Sequence, residues 1–196
     1  MPKLNAKDIL VPTIALVLIC GISTALLATT NEITKEPIAQ AEAQSQQDSM
    51  MAVSPEGTAS YNEIDSGDDS VKCFEALDES GNVIAYAIST GAKGYGGTIK
   101  VMTGISTEDG SVIAVNVYDN SDETPGLGAK TSEDKFSGQF GGNPSAANFT
   151  VSKDADKNPG CTSVDAVTGA TISSRAVVKA VNQALDVYKN VSGGVE

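Results

Sequence analysis

Histidine and tryptophan are absent from this chain of 196 residues, and basic residues are scarce. The lack of histidine excludes catalytic triads with a histidine base, histidine-ligated zinc and histidine-ligated haem. Lysine and arginine number 13 against 25 acidic residues, so the net charge is −12. Such acidity argues against nucleic-acid binding, because phosphate backbones demand basic patches. We therefore expect no catalytic residues and no metal site, and a protein that either binds a partner or takes its chemistry from a cofactor.

Cysteine is also rare, with three in the chain. Cys20 lies in an apolar run, whereas Cys73 and Cys161 lie far apart in the polar part and form no C-x-x-C pair. Iron–sulfur and zinc centres are therefore not expected. A disulfide between Cys73 and Cys161 in an oxidising compartment is one interpretation, and buried free thiols are the other.

A long apolar run covers residues 9–29 and contains no charged residue. About 20 such residues cross the hydrocarbon core of a bilayer. Lys3 and Lys7 precede the run and the first charge after it is Glu32, so we expect residues 1–8 in the cytoplasm and the rest of a single-pass cell-membrane protein outside. A signal peptide cleaved near residue 28 and lipidation at Cys20 are alternatives, but the length favours an uncleaved anchor.

The remaining chain predicts a polar stalk or lead-in at residues 30–69, loosely ordered from about residue 45, and a folded domain at residues 70–191. Strands are expected at residues 71–77, 83–88, 98–103 and 112–118, paired as two hairpins. A short helix capped by Thr131 is expected at residues 131–136, then a long loop with a brief strand at 149–151. Small apolar residues with a 3.6-residue period predict a helix over residues 173–188. The fold class is therefore α+β, an antiparallel sheet with packed helices, preceded by one transmembrane helix.

Three glycine-containing segments are candidates for ligand binding. Residues 93–97 predict either a tight turn with positive φ angles or a close backbone approach to a flat or phosphorylated ligand. Residues 122–130 contain Pro125 and Gly126, which suit a type II turn. Residues 165–174 precede a helix, whose amides and dipole favour a phosphate group; a simple helix cap by Thr171 or Ser173 is the alternative. No Walker loop and no G-x-G-x-x-G sequence is present.

The third segment resembles a known covalent flavin-attachment motif, D-x-x-[ST]-G-A-T. Asp165 occupies its first position, and Thr168, Gly169, Ala170 and Thr171 occupy its last four. The motif belongs to the FMN-binding domain family, which includes the RnfG subunit of the Rnf electron transport complex and the NqrC subunit of the sodium-translocating NADH:quinone reductase. Residues 94–97 and 123–128, the lead-in at 34–38 and the single anchor match the family in order and spacing. The short chain and the spacing favour the RnfG type.

The resemblance implies FMN joined by a phosphoester to the hydroxyl of Thr171, attached outside the cytoplasm by a flavin transferase with FAD as donor. It also implies one-electron transfer within an ion-translocating ferredoxin:NAD oxidoreductase complex, with its other membrane and peripheral subunits as partners and no independent catalysis. A stand-alone extracytoplasmic flavoprotein and a tethered binding module without cofactor are the alternatives. The implied cofactor-binding residues are Thr171, Asp165, Thr168, Gly169, Ala170, Tyr95, Gly96, Glu123, Thr124 and Leu127.

Overall fold

The computed structural model describes residues 6–68 and 70–193, so most of the predicted cytoplasmic segment 1–8 lies outside the described residues. The described chain divides into one unit that ends at Gln44 and a second that begins at Ser45. Helix α1 spans Ala6–Val53 and includes Pro12 and Pro37. Among the described residues it is the single helix long and apolar enough to cross a membrane, with a window of mean hydropathy 2.4. The predicted apolar N-terminal helix is confirmed.

A five-stranded antiparallel sheet forms the centre of the second unit, in the order β1-β2-β3-β4-β5. The four predicted strands, both hairpins and the α+β fold class are confirmed. The third strand runs past the predicted end because its polar residues are paired inside the fold. Thr90 donates a hydrogen bond of 2.9 Å to the carbonyl of Ala180, and Ser89 shares one of 2.7 Å with the Tyr118 hydroxyl. The strands are β1 (Ser60–Ile64), β2 (Lys72–Leu77), β3 (Val83–Lys93), β4 (Thr98–Ser106) and β5 (Val112–Asp119).

The segment before residue 70 is more ordered than expected. Instead of a loosely ordered lead-in, the structure has the last turns of α1 and the edge strand β1. Val53 is fully buried in a small cluster on one face of the sheet, and a side chain at Gly104 would overlap its carbonyl. The sequence did not predict this packing because the few apolar residues here stand among polar ones without a clear period. The other buried members of the cluster are Met50, Phe74, Ala87 and Met102.

Helix α3 (Thr171–Val191) packs on the opposite face of the sheet, where it buries Val177, Val181 and Leu185 in the main core. Alternate residues of a strand point to opposite faces, and β4 accordingly contributes Val101 to this core and Met102 to the smaller cluster. The helix begins two residues before the predicted start and ends three residues after the predicted end. This confirms the predicted amphipathic helix and places its first turn at the end of the motif.

A second, two-stranded parallel sheet lies beside α3. It pairs the predicted strand β6 (Phe149–Val151) with β7 (Thr162–Val164). The three residues of β7 are too few to show a period, so the sequence did not predict it. Asn182 of α3 holds β6 in place, because its side chain bonds both the N–H and the carbonyl of Phe149 at 2.9 Å.

The predicted helix at residues 131–136 is instead a 3₁₀ helix (Gly128–Ser132) followed by α2 (Asp134–Ser137). The prediction that Thr131 caps it was wrong. The buried Thr131 hydroxyl donates to the Gly128 carbonyl at 2.8 Å, and Glu133 occupies the N-cap position of α2 without a side-chain bond. A further 3₁₀ helix (Ser152–Lys157) lies within the predicted long loop.

The three cysteines are free thiols in the structure. Cys73 is buried on β2, and the loss of hydration there raises its pKa to about 12. Cys161 is partly exposed. The interpretation of Cys73 and Cys161 as free thiols therefore agrees with the fold, but the expected burial holds for Cys73 and not for Cys161.

Candidate functional site

An open cavity of about 520 Å³ lies where the loops after β3 and β5 meet the start of α3. This volume falls within the range of small-molecule and cofactor sites. Sequence reasoning missed three of its lining residues, Gly128, Ile172 and Ser173. Seven of the ten predicted cofactor-binding residues line the cavity, namely Tyr95, Glu123, Thr124, Leu127, Gly169, Ala170 and Thr171.

The glycines of the first loop are required by close packing. The expectation of positive φ angles was wrong, since none of Gly94, Gly96 and Gly97 has one. A side chain at Gly94 would overlap the carboxylate of Glu123, and one at Gly96 or Gly97 would overlap Asp122. The glycines therefore let the backbone of this loop approach the loop that contains Asp122 and Glu123. The sequence had left open whether the backbone approaches a ligand instead.

Glu123 joins three segments around the cavity. It is 3% exposed, and one carboxylate oxygen accepts hydrogen bonds from the backbone N–H groups of Tyr95 at 2.8 Å and Gly96 at 3.1 Å. The other oxygen accepts a bond of 2.6 Å from the Ser173 hydroxyl on α3. Within the described chain, no lysine or arginine forms an ion pair with this carboxylate. Its charge is therefore stabilised by amide and hydroxyl donors.

The second loop presents Leu127 to the cavity. The N–H of Leu127 donates to the carbonyl of Thr124 at 3.1 Å, and Gly126 has φ 76°, as the third residue of the predicted type II turn requires. The Leu127 side chain is 43% exposed and lies directly against Gly169. The turn therefore places an apolar side chain over the backbone of the motif.

The first turn of α3 leaves backbone donors unused. Ala170 occupies the N-cap position without a side-chain hydrogen bond, and Thr171 is the first residue of the helix. The cap interpretation was therefore wrong, because Thr171 does not cap the helix and the Ser173 hydroxyl bonds Glu123 instead. The N–H groups of Thr171, Ile172 and Ser173 have no hydrogen-bond partner within residues 6–68 and 70–193. Free donors of this kind, together with the helix dipole, favour an anion.

A lysine that the sequence did not single out contacts the motif. The ammonium group of Lys153 donates to the Thr171 hydroxyl at 3.2 Å. Its neighbour Asp154 forms a two-bond ion pair with Arg175 of α3, at 2.6 Å and 2.8 Å. Hydrogen bonding to Arg175 lowers the pKa of Asp154 below its ordinary value. Lys153 carried no signal in the sequence because it lies 18 residues before Thr171 in a stretch without regular pattern.

Three predicted residues lie outside the cavity lining. Gly96 contributes its backbone N–H to Glu123. Asp165 and Thr168 line a neighbouring cleft of about 440 Å³ instead. The Gln139 side chain fixes the start of the motif there, since it accepts from the Asp165 N–H at 2.6 Å and donates to its carbonyl at 3.2 Å. The cleft is also lined by Lys130, Glu133, Lys135, Ala166 and Val167.

Comparison with known proteins identifies the family. The FMN-binding domain model matches residues 94–186, and the RnfG N-terminal region matches residues 1–53. The RnfG-type subunit of the ion-translocating oxidoreductase complex of Methanosarcina acetivorans is 34% identical, over 96% of this chain and 99% of its own length. The chain belongs to the RnfG family. The corresponding subunit of the proton-translocating ferredoxin:NAD(+) oxidoreductase complex of Clostridium ljungdahlii is 35% identical over 91% of each chain. The predicted family and its FMN-binding domain are confirmed.

A solved structure shows the same fold. The NqrC-type subunit of the Na(+)-translocating NADH-quinone reductase from Parabacteroides distasonis has a TM-score of 0.56 to this chain, at 19% identity. The match covers 76% of this chain and 90% of that one. The predicted relation between the RnfG and NqrC types therefore holds for the fold.

The residues around the cavity fit FMN. The exposed side chains of Tyr95, Leu127 and Ile172 offer apolar surface for a flat ring system. The unused N–H groups of α3 and the ammonium group of Lys153 suit a phosphate. The hydroxyl of Thr171, the first residue of α3, lies beside the apolar side chains and beside the phosphate donors.

Proposed function

We propose that this chain is the membrane-anchored, FMN-carrying subunit of an Rnf-type complex that couples electron transfer between ferredoxin and NAD to ion movement. The observation that carries the proposal is the position of Thr171. Thr171 lines the cavity at the start of α3, its hydroxyl serves as no helix cap, and the first turn of the helix has three unused backbone donors. Membership of the RnfG family supplies the context of the complex.

The Thr171 hydroxyl is the proposed attachment point of the cofactor. On attachment, its oxygen would form a bond to the phosphorus of the FMN half of FAD, the pyrophosphate bond would break, AMP would leave, and the hydroxyl proton would pass to AMP or solvent. The chain gains the mass of FMN minus water. Lys153 donates a hydrogen bond to this hydroxyl and so does not act as its base. In this proposal a separate flavin transferase supplies the catalysis.

The remaining cavity residues hold and orient the cofactor. Bound FMN supplies the one-electron redox chemistry that the side chains of this protein lack. Tyr95, Leu127 and Ile172 would flank the ring, while Glu123 keeps the loops and α3 together. The covalent bond keeps the cofactor in a cavity whose walls are open to solvent, since Tyr95 is 70% exposed.

The apolar part of α1 is the proposed membrane anchor. Its length and hydropathy suffice for one crossing. Lys3 and Lys7 before the span favour a cytoplasmic N-terminus and a flavin domain outside. The other membrane and peripheral subunits of the complex are the expected partners, and co-purification with them in detergent distinguishes this role from a stand-alone flavoprotein.

Flavin fluorescence in a denaturing gel tests the covalent attachment. The full chain, produced together with a flavin transferase, is expected to fluoresce after denaturation. Thr171→Ala should abolish the signal, whereas Thr107→Ala should keep it, because Thr107 is exposed and its hydroxyl donates only to the Val83 carbonyl. A dark wild-type band, or a fluorescent Thr171→Ala band, would contradict the proposal.

A further inference from the structure

Lys153 is placed to interact with whatever the Thr171 oxygen carries. Its ammonium group lies 3.2 Å from that oxygen and donates a hydrogen bond to it. We propose that Lys153 is a positioning residue, the counter-ion of the phosphodiester formed at Thr171. This inference rests on the proposed function, because it concerns the same site after attachment.

Two sets of contacts fix the segment that bears Lys153. On one side, β6 is tied to α3 by the paired bonds between Phe149 and Asn182. On the other side, Asp154 is tied to the first turns of α3 by its two bonds to Arg175. Lys153 stands between these contacts at the start of a 3₁₀ helix. Its backbone is therefore held beside Thr171 rather than free to move away.

The neighbouring basic side chains are engaged elsewhere and do not contact Thr171. No lysine or arginine is among the described residues that line the cavity, and the Glu123 carboxylate there would repel an anion. Arg175 is already paired with Asp154, and Lys130 and Lys135 line the neighbouring cleft. In a chain with net charge −12, a local cation stabilises an added negative group. Among the residues that the structure describes, Lys153 is the cation that contacts the attachment point.

Esterification of Thr171 would change the hydrogen-bond acceptor of the Lys153 ammonium group. The Thr171 oxygen becomes an ester oxygen, a poorer acceptor, while the negative charge resides on the free phosphoryl oxygens of the same group. A charge-assisted bond from Lys153 to those oxygens is stronger than the present bond to a neutral hydroxyl. Lys153 should therefore stabilise the loaded chain more than the unloaded one, whereas a merely structural lysine would stabilise both equally.

The thermal stabilisation gained on flavin loading tests the inference. The melting temperature of the full chain in detergent is compared between protein produced with and without the transferase. The gain on loading should be smaller by about 2 °C in Lys153→Met, since one charge-assisted bond is lost. Lys153→Arg should retain most of the gain, and raised salt should reduce the wild-type gain more than that of Lys153→Met.

Lys157→Met is the matched control, because Lys157 lies in the same 3₁₀ helix with a side chain 79% exposed. It should show the wild-type gain. An equal gain in Lys153→Met and wild type overturns the inference while leaving the proposed function intact, whereas a wild-type chain that does not load contradicts the proposed function itself. If Lys153→Met does not load, loading of Lys153→Arg supports the inference, and its failure to load overturns it.

Discussion

At the scale of single residues, Glu123 shows how a buried carboxylate shapes a site without a cation partner in the described part of the chain. Its oxygens accept from two backbone amides of one loop and from the Ser173 hydroxyl of α3. Gly94 and Gly128 leave the space that the carboxylate occupies. Removal of the side chain would leave three donors without their partner, which is the costly way to lose hydrogen bonds.

The loss of stability on substitution of Glu123 or Ser173 should follow the number of hydrogen bonds that are lost. Glu123→Ala is expected to lower the free energy of unfolding by about 3–4 kcal/mol, and Ser173→Ala by about 1–2 kcal/mol. Glu123→Gln should cost less than Glu123→Ala, because its amide oxygen can still accept from the two amides of the loop. Urea unfolding of the full chain in detergent, followed by circular dichroism, measures these values. Equal losses for all three variants would contradict the bonding described for Glu123.

The residues of the site were not equally predictable. Thr171 could be found from the sequence because its motif is local and specific. Tyr95, Glu123 and Leu127 followed from the family resemblance, but the bonds of Glu123 did not. Lys153 could not be predicted, since its approach to Thr171 depends on the fold of a segment that has no pattern of its own.

At the scale of elements, the start of α3 is held by the 3₁₀ helix that precedes β7. The link is the ion pair between Asp154 and Arg175. Hydrogen bonding to Arg175 lowers the pKa of Asp154 in the folded chain, so the pair stabilises the fold above the unfolded-state pKa of about 4. The stabilisation is lost as the pH falls below that value toward the folded-state pKa.

Unfolding free energies measured over a range of pH can detect the ion pair between Asp154 and Arg175. The difference in unfolding free energy between wild type and Asp154→Asn should be constant from about pH 7 to 5 and should shrink below about pH 4. Asp156→Asn removes the same charge from the same 3₁₀ helix and should show a smaller difference, since Asp156 forms no ion pair among the described residues. Urea unfolding at each pH provides the measurement. A difference for Asp154→Asn that grows on acidification would contradict the assignment.

Elements with a strong period were predictable, and those defined by distant contacts were not. The strands β2 to β5 and the helix α3 have apolar residues at regular spacing. The end of α1 and the strand β1 do not, because their order depends on packing against a sheet formed later in the chain. The role of the glycines in residues 94–97 could not be predicted for the same reason. These glycines are required by contacts with Asp122 and Glu123, which are distant in sequence.

At the scale of the whole molecule, the central expectation is that the flavin domain lies outside the cytoplasm. A cysteine reporter suits this chain, because burial and a pKa of about 12 protect Cys73, and Cys20 lies in the apolar span. Lys179→Cys, on the exposed face of α3 and combined with Cys161→Ser, should react with a membrane-impermeant maleimide in intact cells. Cys161→Ser alone is the control and should stay unlabelled. Labelling only after cell disruption would contradict the orientation.

The mass of the peptide that contains Thr171 tests the proposed flavin attachment directly. The full chain is produced with a flavin transferase, digested, and the peptide that contains Thr171 is fragmented by tandem mass spectrometry. We expect a mass increase of FMN minus water on Thr171 itself, with Thr168 unmodified. An unmodified peptide from a chain exposed to an active transferase, or the increase on any other residue, would contradict attachment at Thr171.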